Sequence, residues 1–212
     1  MEKDFYAMLS RMKYIERWAL MRNAEKENIS EHSLDVAILT HALAIISRER
    51  FQNDVNIEKA VLIALYHDCT EIITGDMPTP MKYHNKTIED AYKALEDQAA
   101  NHLLQLLPPE MRKYYEELFF PNPDEAHLWK LKKAADKLSA LIKCIKEEQF
   151  GNSEFTSAKY TLEQSLKNMK LPEVDLFMEE YLPAYYKTLD QLQNHCDDEG
   201  GRNMTVSKSA EG

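Results

Sequence analysis

Apolar side chains recur at intervals of three and four along most of this 212-residue chain, the spacing that lines one face of a helix. Phe5, Met8, Leu9, Met12, Ile15 and Leu20 form the first series and predict a helix, or a helix pair, over residues 4–22. In the second, His32, Val36, Leu39, Leu43 and Ile46 share a stripe, with Ser30 placed to cap the helix and His32 in its first turn. Five glycines in the whole chain are too few for a sheet protein that must turn often. Ala, Leu, Glu, Lys and Met are abundant, which favours helix. The fold class is therefore all-α, and the length allows one substantial core.

The remaining helices follow from the same signals. Asn56 caps a third helix, Ile57 to about Thr74, whose AVLIALYH run is apolar nearly all round and should cross the middle of the core. Gly75 ends it, and Pro78 and Pro80 keep the DMPTP stretch out of helix as a rigid loop. Thr87 with Asp90 reads as the capping start of a helix to Leu107, where Pro108 and Pro109 intervene. Pro123 and Asp124 open a long helix to about Phe150, with Gly151 as its stop. Asn152 or Ser153 caps another that Pro172 ends, and a last helix holds Phe177, Tyr181, Tyr185 and Leu189, kinked or restarted at Pro183. No Pro/Gly/Ser-rich linker interrupts this length, so residues 1–196 are expected to form a single-domain helical bundle. Residues 197–212 are polar, carry Gly200 and Gly201, and are expected to be a disordered tail.

Charge and cysteine usage restrict the partners. A net charge of −10 opposes nucleic-acid polymers and anionic membranes, so neither is expected as a partner. The same field opposes a small phosphorylated ligand unless a metal, or particular Arg and Lys side chains, makes its site locally cationic. Cys69, Cys144 and Cys196 are odd in number and widely separated, which suggests neither a disulfide framework nor a zinc knuckle and fits a reducing cytoplasm. Residues 1–14 lack a continuous apolar stretch and no run of about 18 apolar residues occurs elsewhere, so neither a signal peptide nor a membrane span is expected.

Chemistry concentrates in Tyr66-His67-Asp68-Cys69-Thr70-Glu71, where three ligand-capable side chains end an otherwise apolar helix. His67 and Glu71 are four apart, and Asp68 and Glu71 three apart, so they converge on one edge of a helix terminus. Burying them unpaired would be costly, and a cation would compensate the charge. A His-Asp dipeptide alone is weak, but Glu31-His32-Ser33 begins a helix and Ala134-Ala135-Asp136-Lys137 puts an acid in an apolar helical stretch. The competing reading of His32 is a buried structural histidine, and that of the whole set a buried polar cluster without metal.

Together these residues resemble the HD-domain phosphohydrolase superfamily, helical proteins in which such a His, His-Asp, Asp set binds a divalent metal. The likeness extends to Arg17-Trp18, Met21-Arg22-Asn23, Glu71 and Gly75-Asp76-Met77-Pro78-Thr79-Pro80, and points to the bacterial HD-domain 5′-deoxynucleotidases over roughly residues 4–190. Two departures are mild: Ala19 follows the Trp where proline can occur, and Met77 stands in the GDxPTP loop. The resemblance implies a homodimeric hydrolase that releases phosphate from deoxyribonucleoside 5′-monophosphates with cobalt or manganese.

It assigns the metal to His32, His67, Asp68 and Asp136, where the ion would polarise the phosphate and acidify the attacking water. Glu71 would transfer the proton, against the alternative of an exposed helix-end carboxylate. Arg17 would grip the 5′-phosphate with its planar fork, against that of a surface salt bridge. Trp18, Asp76, Met77, Pro78 and Thr79 would form the sugar side of the pocket and crowd a 2′-hydroxyl, with His32, Asp68 and Asp136 also facing substrate. Core packing is the other reading of Trp18. Lys137 receives no role. Two further functions share the pattern: an HD-type hydrolase of a triphosphate, cyclic nucleotide or alarmone, and a nucleotide sensor without chemistry.

Overall fold

Helix caps set the frame of the computed structural model, which describes residues 3–193. His195, Cys196 and the expected tail at 197–212 lie outside the described residues. In chain order the helices are α1 (Phe5–Leu9), α2 (Ile29–Phe51), α3 (Ile57–Tyr66), α4 (Glu71–Thr74), α5 (Thr79–Lys82), α6 (Lys86–Gln105), α7 (Pro109–Phe119), α8 (Ala126–Gln149), α9 (Thr156–Asn168) and α10 (Pro172–Glu180). Short 3₁₀ turns occupy Met12–Tyr14, Pro123–Glu125, Ser153–Phe155 and Leu182–Tyr186. Among the described residues there is no strand, only an isolated bridge between Glu16 and Asn28.

Helices α2 and α8 are the two long members, and they pack on each other; α3 lies against both, α9 against α8, and α10 against α2. Leu43 of α2, Ile63 of α3 and Leu131, Leu138, Leu141 and Ile145 of α8 are fully buried where they meet. A smaller cluster around Phe5, Ile29, Leu103 and Leu107 joins this core through Tyr66 and Tyr115, which touch both. By length and composition α2 could cross a membrane, with a mean hydropathy of 1.3, but 56% of that apolar window is buried inside the fold.

Several expectations change in detail. The stripe His32, Val36, Leu39, Leu43 and Ile46 is the buried face of α2 as expected. Its cap, however, is Asn28 and not Ser30: the Asn28 side chain accepts from Ser30 N and Glu31 N, and the Glu31 carboxylate reaches back to Asn28 N. The 4–22 series yields only α1 and one 3₁₀ turn, and residues 15–28 form an irregular loop. Helix α6 begins at Lys86, one residue before Thr87, and is capped by Asn85, whose side chain accepts from Ile88 N. Pro109 opens the unforeseen α7, because its missing N–H is one that a first helical turn leaves unpaired anyway. Pro80 similarly sits in the first turn of α5 inside the stretch expected to be loop. Pro172 starts α10 after α9 has ended at Asn168, and Pro183 restarts the chain as a 3₁₀ turn.

The loop of residues 15–28 has little hydrogen bonding of its own and is tied to α8 by a buried ion pair. Glu147 and Lys143, four residues apart on α8, contact each other, and both are nearly inaccessible. Glu147 also accepts from Ala24 N at 2.8 Å, from Glu25 N at 3.3 Å and from the Asn152 amide at 2.7 Å. Burial alone would raise this carboxyl, but the Lys143 ammonium and these donors outweigh it and hold it down to about 2. A carboxyl depressed on folding contributes stability above its unfolded value near 4.5, and that contribution fades as pH falls towards 2. Acid unfolding followed by circular dichroism should therefore show a loss of stability across this window that Glu147→Gln largely removes, at the cost of lower stability at pH 7.

Candidate active site and metal centre

Two helices, α2 and α8, and the break between α3 and α4 deliver the predicted ligands to one place. The single helix expected from Ile57 to Thr74 is interrupted at His67. The His67 ring donates from Nδ1 to the Ala64 carbonyl at 2.7 Å, and the next backbone bonds span three residues instead of four: Cys69 N to Tyr66 O, Glu71 N to Asp68 O and Ile72 N to Cys69 O. Tightened turns of this kind reorient the side chains relative to a continuous α-helix. The expected i, i+4 convergence of His67 and Glu71 on one helix edge is thus replaced by a turn that points His67 and Asp68 at α2.

Each imidazole is oriented by its Nδ1. With the His67 Nδ1–H engaged by Ala64, its Nε2 is left as a buried lone pair without a hydrogen-bond partner, 3.0 Å from Asp68 Oδ1. His32 is completely buried; its Nδ1 lies 3.1 Å from Ser139 Oγ, and its Nε2 faces Asp136 Oδ1 at 3.1 Å and Asp68 Oδ2 at 3.6 Å. Ligand atoms of His32, His67 and Asp68 all fall within 4.8 Å of one another, and Asp136 adjoins them through His32. Two Nε2 atoms and two carboxylates, one nitrogen orphaned, form a donor set suited to a divalent transition ion. The Nδ1 contacts are the outer interactions that fix such ligands. Asp136, with 38% of its side chain accessible, marks the open side.

Electrostatics divide the acids into two kinds. Burial alone would raise the Asp68 and Asp136 carboxyls, but His67, His32 and Arg17 hold both well below the usual carboxylate range. Glu71 is the opposite case: burial first, then the charges of Asp68 and Asp76, push it up to about 10, and its Oε2 is buried without a partner. The alternative of an exposed helix-end carboxylate for Glu71 therefore does not hold. Burial also raises Asp76, against the lowering effect of Arg17.

Arg17 lies beside the ligands and not on the open surface. Its Nε is 2.9 Å from Glu27 Oε1 and its Nη1 3.3 Å from Asp68 Oδ2, while Nη2 has no partner among the described residues. Burial would lower the guanidinium, yet Asp68, Asp136, Glu27 and Asp76 together raise it, so the cation is secured. Trp18 follows in the left-handed region at φ 57°, where a bulky residue stores roughly 1–3 kcal/mol of strain. Its ring packs on Phe155 at 5.3 Å, and its buried Nε1–H has no partner.

Gly75, at φ 73°, makes the turn into the GDMPTP loop, and its carbonyl accepts from Tyr92 OH at 3.2 Å. Asp76 lies in the field of Arg17 and Asp68 and near the Trp18 backbone. Met77 and Pro78 are half-buried, Thr79 is exposed, and none of the three makes a hydrogen bond or ion pair to the ligand cluster. Two neighbours were not foreseen. Ser139 is three residues from Asp136 on the same helix, a spacing that signals a shared face; Glu27 lies among polar loop residues and carries no such signal. A cavity of 690 Å³ between His41, Arg48, Glu58 and His127 includes none of the predicted site residues.

Comparison with known proteins places the chain in a family. The family description "5'-deoxynucleotidase YfbR-like" matches residues 4–185. The chain is 44% identical over 195 residues to a 5′-deoxynucleotidase of Cronobacter sakazakii, covering 90% of this chain and 96% of that protein. It is likewise 44% identical over 192 residues to one of Yersinia pestis, covering 89% and 95%. In three dimensions it resembles an HD-domain phosphohydrolase of Listeria innocua, with a TM-score of 0.76 at 22% identity, over 92% of this chain and 98% of that one. It also resembles the cyanophage S-2L HD phosphohydrolase DatZ, a structure bound to dA and one catalytic Zn²⁺, with a TM-score of 0.61 at 21% identity, over 86% and 96%. On its sequence over nearly its whole described length, and with the HD-type helical fold, this chain belongs to the YfbR-like 5′-deoxynucleotidase family.

Proposed function

We propose that the protein hydrolyses deoxyribonucleoside 5′-monophosphates to deoxyribonucleosides and inorganic phosphate in a metal-dependent reaction. The observation that carries this reading is the convergence of His32, His67, Asp68 and Asp136, with an orphaned His67 Nε2, beside one buried guanidinium and one buried carboxyl. Its substrate class rests on relatives named 5′-deoxynucleotidase.

When bound, a divalent cation supplies positive charge beside the phosphoryl oxygens and acidifies the attacking water. We place it on those four residues and assign it to cobalt or manganese. Arg17, through the unpartnered side of its guanidinium, receives the phosphate and holds the phosphorus in line for attack. Glu71 takes the proton of the attacking water as the new P–O bond forms and the bond to the 5′-oxygen breaks, and it returns that proton to the 5′-oxygen, which leaves as the hydroxyl of the nucleoside. A carboxyl pushed up by its surroundings is a strong proton acceptor once ionised, and positive charge nearby brings it back towards the ionised form. Trp18, whose Nε1–H is unpartnered, and the loop of Asp76, Met77, Pro78 and Thr79 close the sugar side, where they disfavour a 2′-hydroxyl.

We further propose a homodimer, supported by the apolar residues Leu34, Ile38 and Ile45 on the outer face of α2 and Leu62 on α3, all exposed in the single chain. Unpaired Cys69 and Cys144, both buried, support a reducing cytoplasmic setting.

Phosphate release from dAMP and AMP, measured side by side on chelator-stripped protein, should require added Co²⁺ or Mn²⁺ and favour dAMP; pyrophosphate release from a triphosphate instead would assign another HD chemistry. Glu71→Gln should lower kcat by about 10²–10⁴-fold while metal content by mass spectrometry stays intact. Arg17→Ala should act chiefly on kcat/KM, and unchanged efficiency would remove it from the phosphate site. Ile38→Glu should convert a dimer to a monomer in sedimentation velocity, and a wild type that is monomeric at all concentrations defeats the dimer assignment.

A further inference from the structure

Arg17 and Trp18 sit on a loop that cannot fix its own shape. Between the backbone bonds Arg17 N to Glu27 O and Ile29 N to Ile15 O at its base, the chain from Trp18 to Lys26 has no ladder partner. Inside the loop, Met21 N donates to the Trp18 carbonyl at 2.9 Å and the Asn23 amide to the carbonyls of Trp18 and Met21; further anchors come from outside. Glu147 of α8 accepts from Ala24 N and Glu25 N, and the Lys143 ammonium donates to the Glu25 carbonyl. Asn152, just beyond α8, donates to the Arg22 carbonyl and to Glu147, both at 2.7 Å. The Lys143 ammonium also lies 5.7 Å above the ring of Phe155, the residue on which Trp18 packs.

Two features set this network apart from ordinary loop packing. Removing both charges of a buried ion pair from water is expensive, and an apolar pair of the same size would serve cohesion at least as well. What an ion pair adds is direction, since each partner holds a particular carbonyl or N–H. The second feature is the helix that carries it. Ser139, Lys143 and Glu147 follow at four-residue intervals along one face of α8, and Asp136 is one turn before Ser139. One rigid helix therefore presents an acid to the ligand cluster, orients His32 through Ser139, and clamps the loop bearing Arg17 and Trp18.

We propose that Lys143 and Glu147, with Asn152, are positioning residues for substrate recognition: they register the Arg17–Trp18 loop against the metal centre without touching substrate or metal. Trp18 is held at its left-handed φ by this clamp, and releasing the clamp lets the backbone relax and carries the indole and guanidinium away from their places. The proposal rests on the phosphomonoesterase reading above for its kinetic consequences but not for its structural one.

The test therefore has two arms. In a Trp129→Phe background Trp18 is the sole tryptophan, and its acrylamide quenching reports the loop without any substrate. Glu147→Gln, and Asn152→Ser should the first variant fail to fold, should increase quenching and red-shift the emission. In the metal-loaded enzyme the same variants should raise KM for dAMP about tenfold and lower the dAMP-to-AMP preference, with metal content unchanged and kcat affected less. Lys143→Arg, which keeps the charge and the donors, should stay close to wild type where Lys143→Met does not. Wild-type quenching and KM in folded variants would overturn the proposal, as would a loss of metal and kcat together with KM unmoved. Altered quenching in the variants, together with a wild-type enzyme that does not hydrolyse dAMP, would uphold the clamp and refute the substrate reading alone.

Discussion

The mutual compensation of buried charge at the meeting of α2, α8 and the break after α3 is the constraint on which the structure turns. His32 is without solvent, Asp68 and Asp136 are held ionised beside it, and Arg17 balances them from the loop side. None of these groups would be stable there alone, because an isolated charge in a protein interior costs several kcal/mol. Each is tolerable because the others are present, and the site keeps one imidazole nitrogen, His67 Nε2, without a hydrogen-bond partner among the described residues. The hydrophobic core serves this arrangement: Leu131, Leu138, Leu141 and Ile145 lock α8 in place, so Asp136 and Ser139 have little freedom to drift.

The same economy explains why acids of similar type behave differently within a few ångströms. Asp68 and Asp136 meet two imidazoles and a guanidinium, whereas Glu71 meets apolar surroundings and other acids. The first two are suited to hold a cation and the third to exchange a proton. This separation of roles is written in burial and neighbours, not in the chemical identity of the side chains. The 3₁₀ tightening at His67 is its local cause, since it turns His67 and Asp68 towards α2 and leaves Glu71 beyond them.

Loop 15–28 illustrates the complementary case, in which local sequence leaves the backbone undecided and distant residues settle it. Trp18 adopts a conformation its own chemistry disfavours, and the network of Glu147, Lys143 and Asn152 over 100 residues away in sequence supplies the anchoring. Strain held by surrounding structure is common where a side chain must be presented to a ligand.

The sequence by itself determined the helical class, the buried stripe of α2 and the extent of α8 with its stop at Gly151, because periodicity is a local property; His32, His67, Asp68 and Asp136 were singled out as a set only through the family resemblance. It misplaced what depends on competition between local signals: Asn28 over Ser30 as a cap, Pro109 as a helix opener instead of a stop, and a broken helix where an unbroken apolar run suggested a straight one. Periodicity does not distinguish a side chain facing the core from one facing an exposed apolar surface, so Leu62 and Leu65 were read as interior. Only the tertiary structure decided which imidazole nitrogen faces the ligands, that Glu71 is buried with its carboxyl pushed up by burial and by Asp68 and Asp76, and that Glu27 and Ser139 adjoin the site. Those are relations between residues far apart in sequence, set by how α2, α8 and the loop before α2 pack, and no window along the chain contains them.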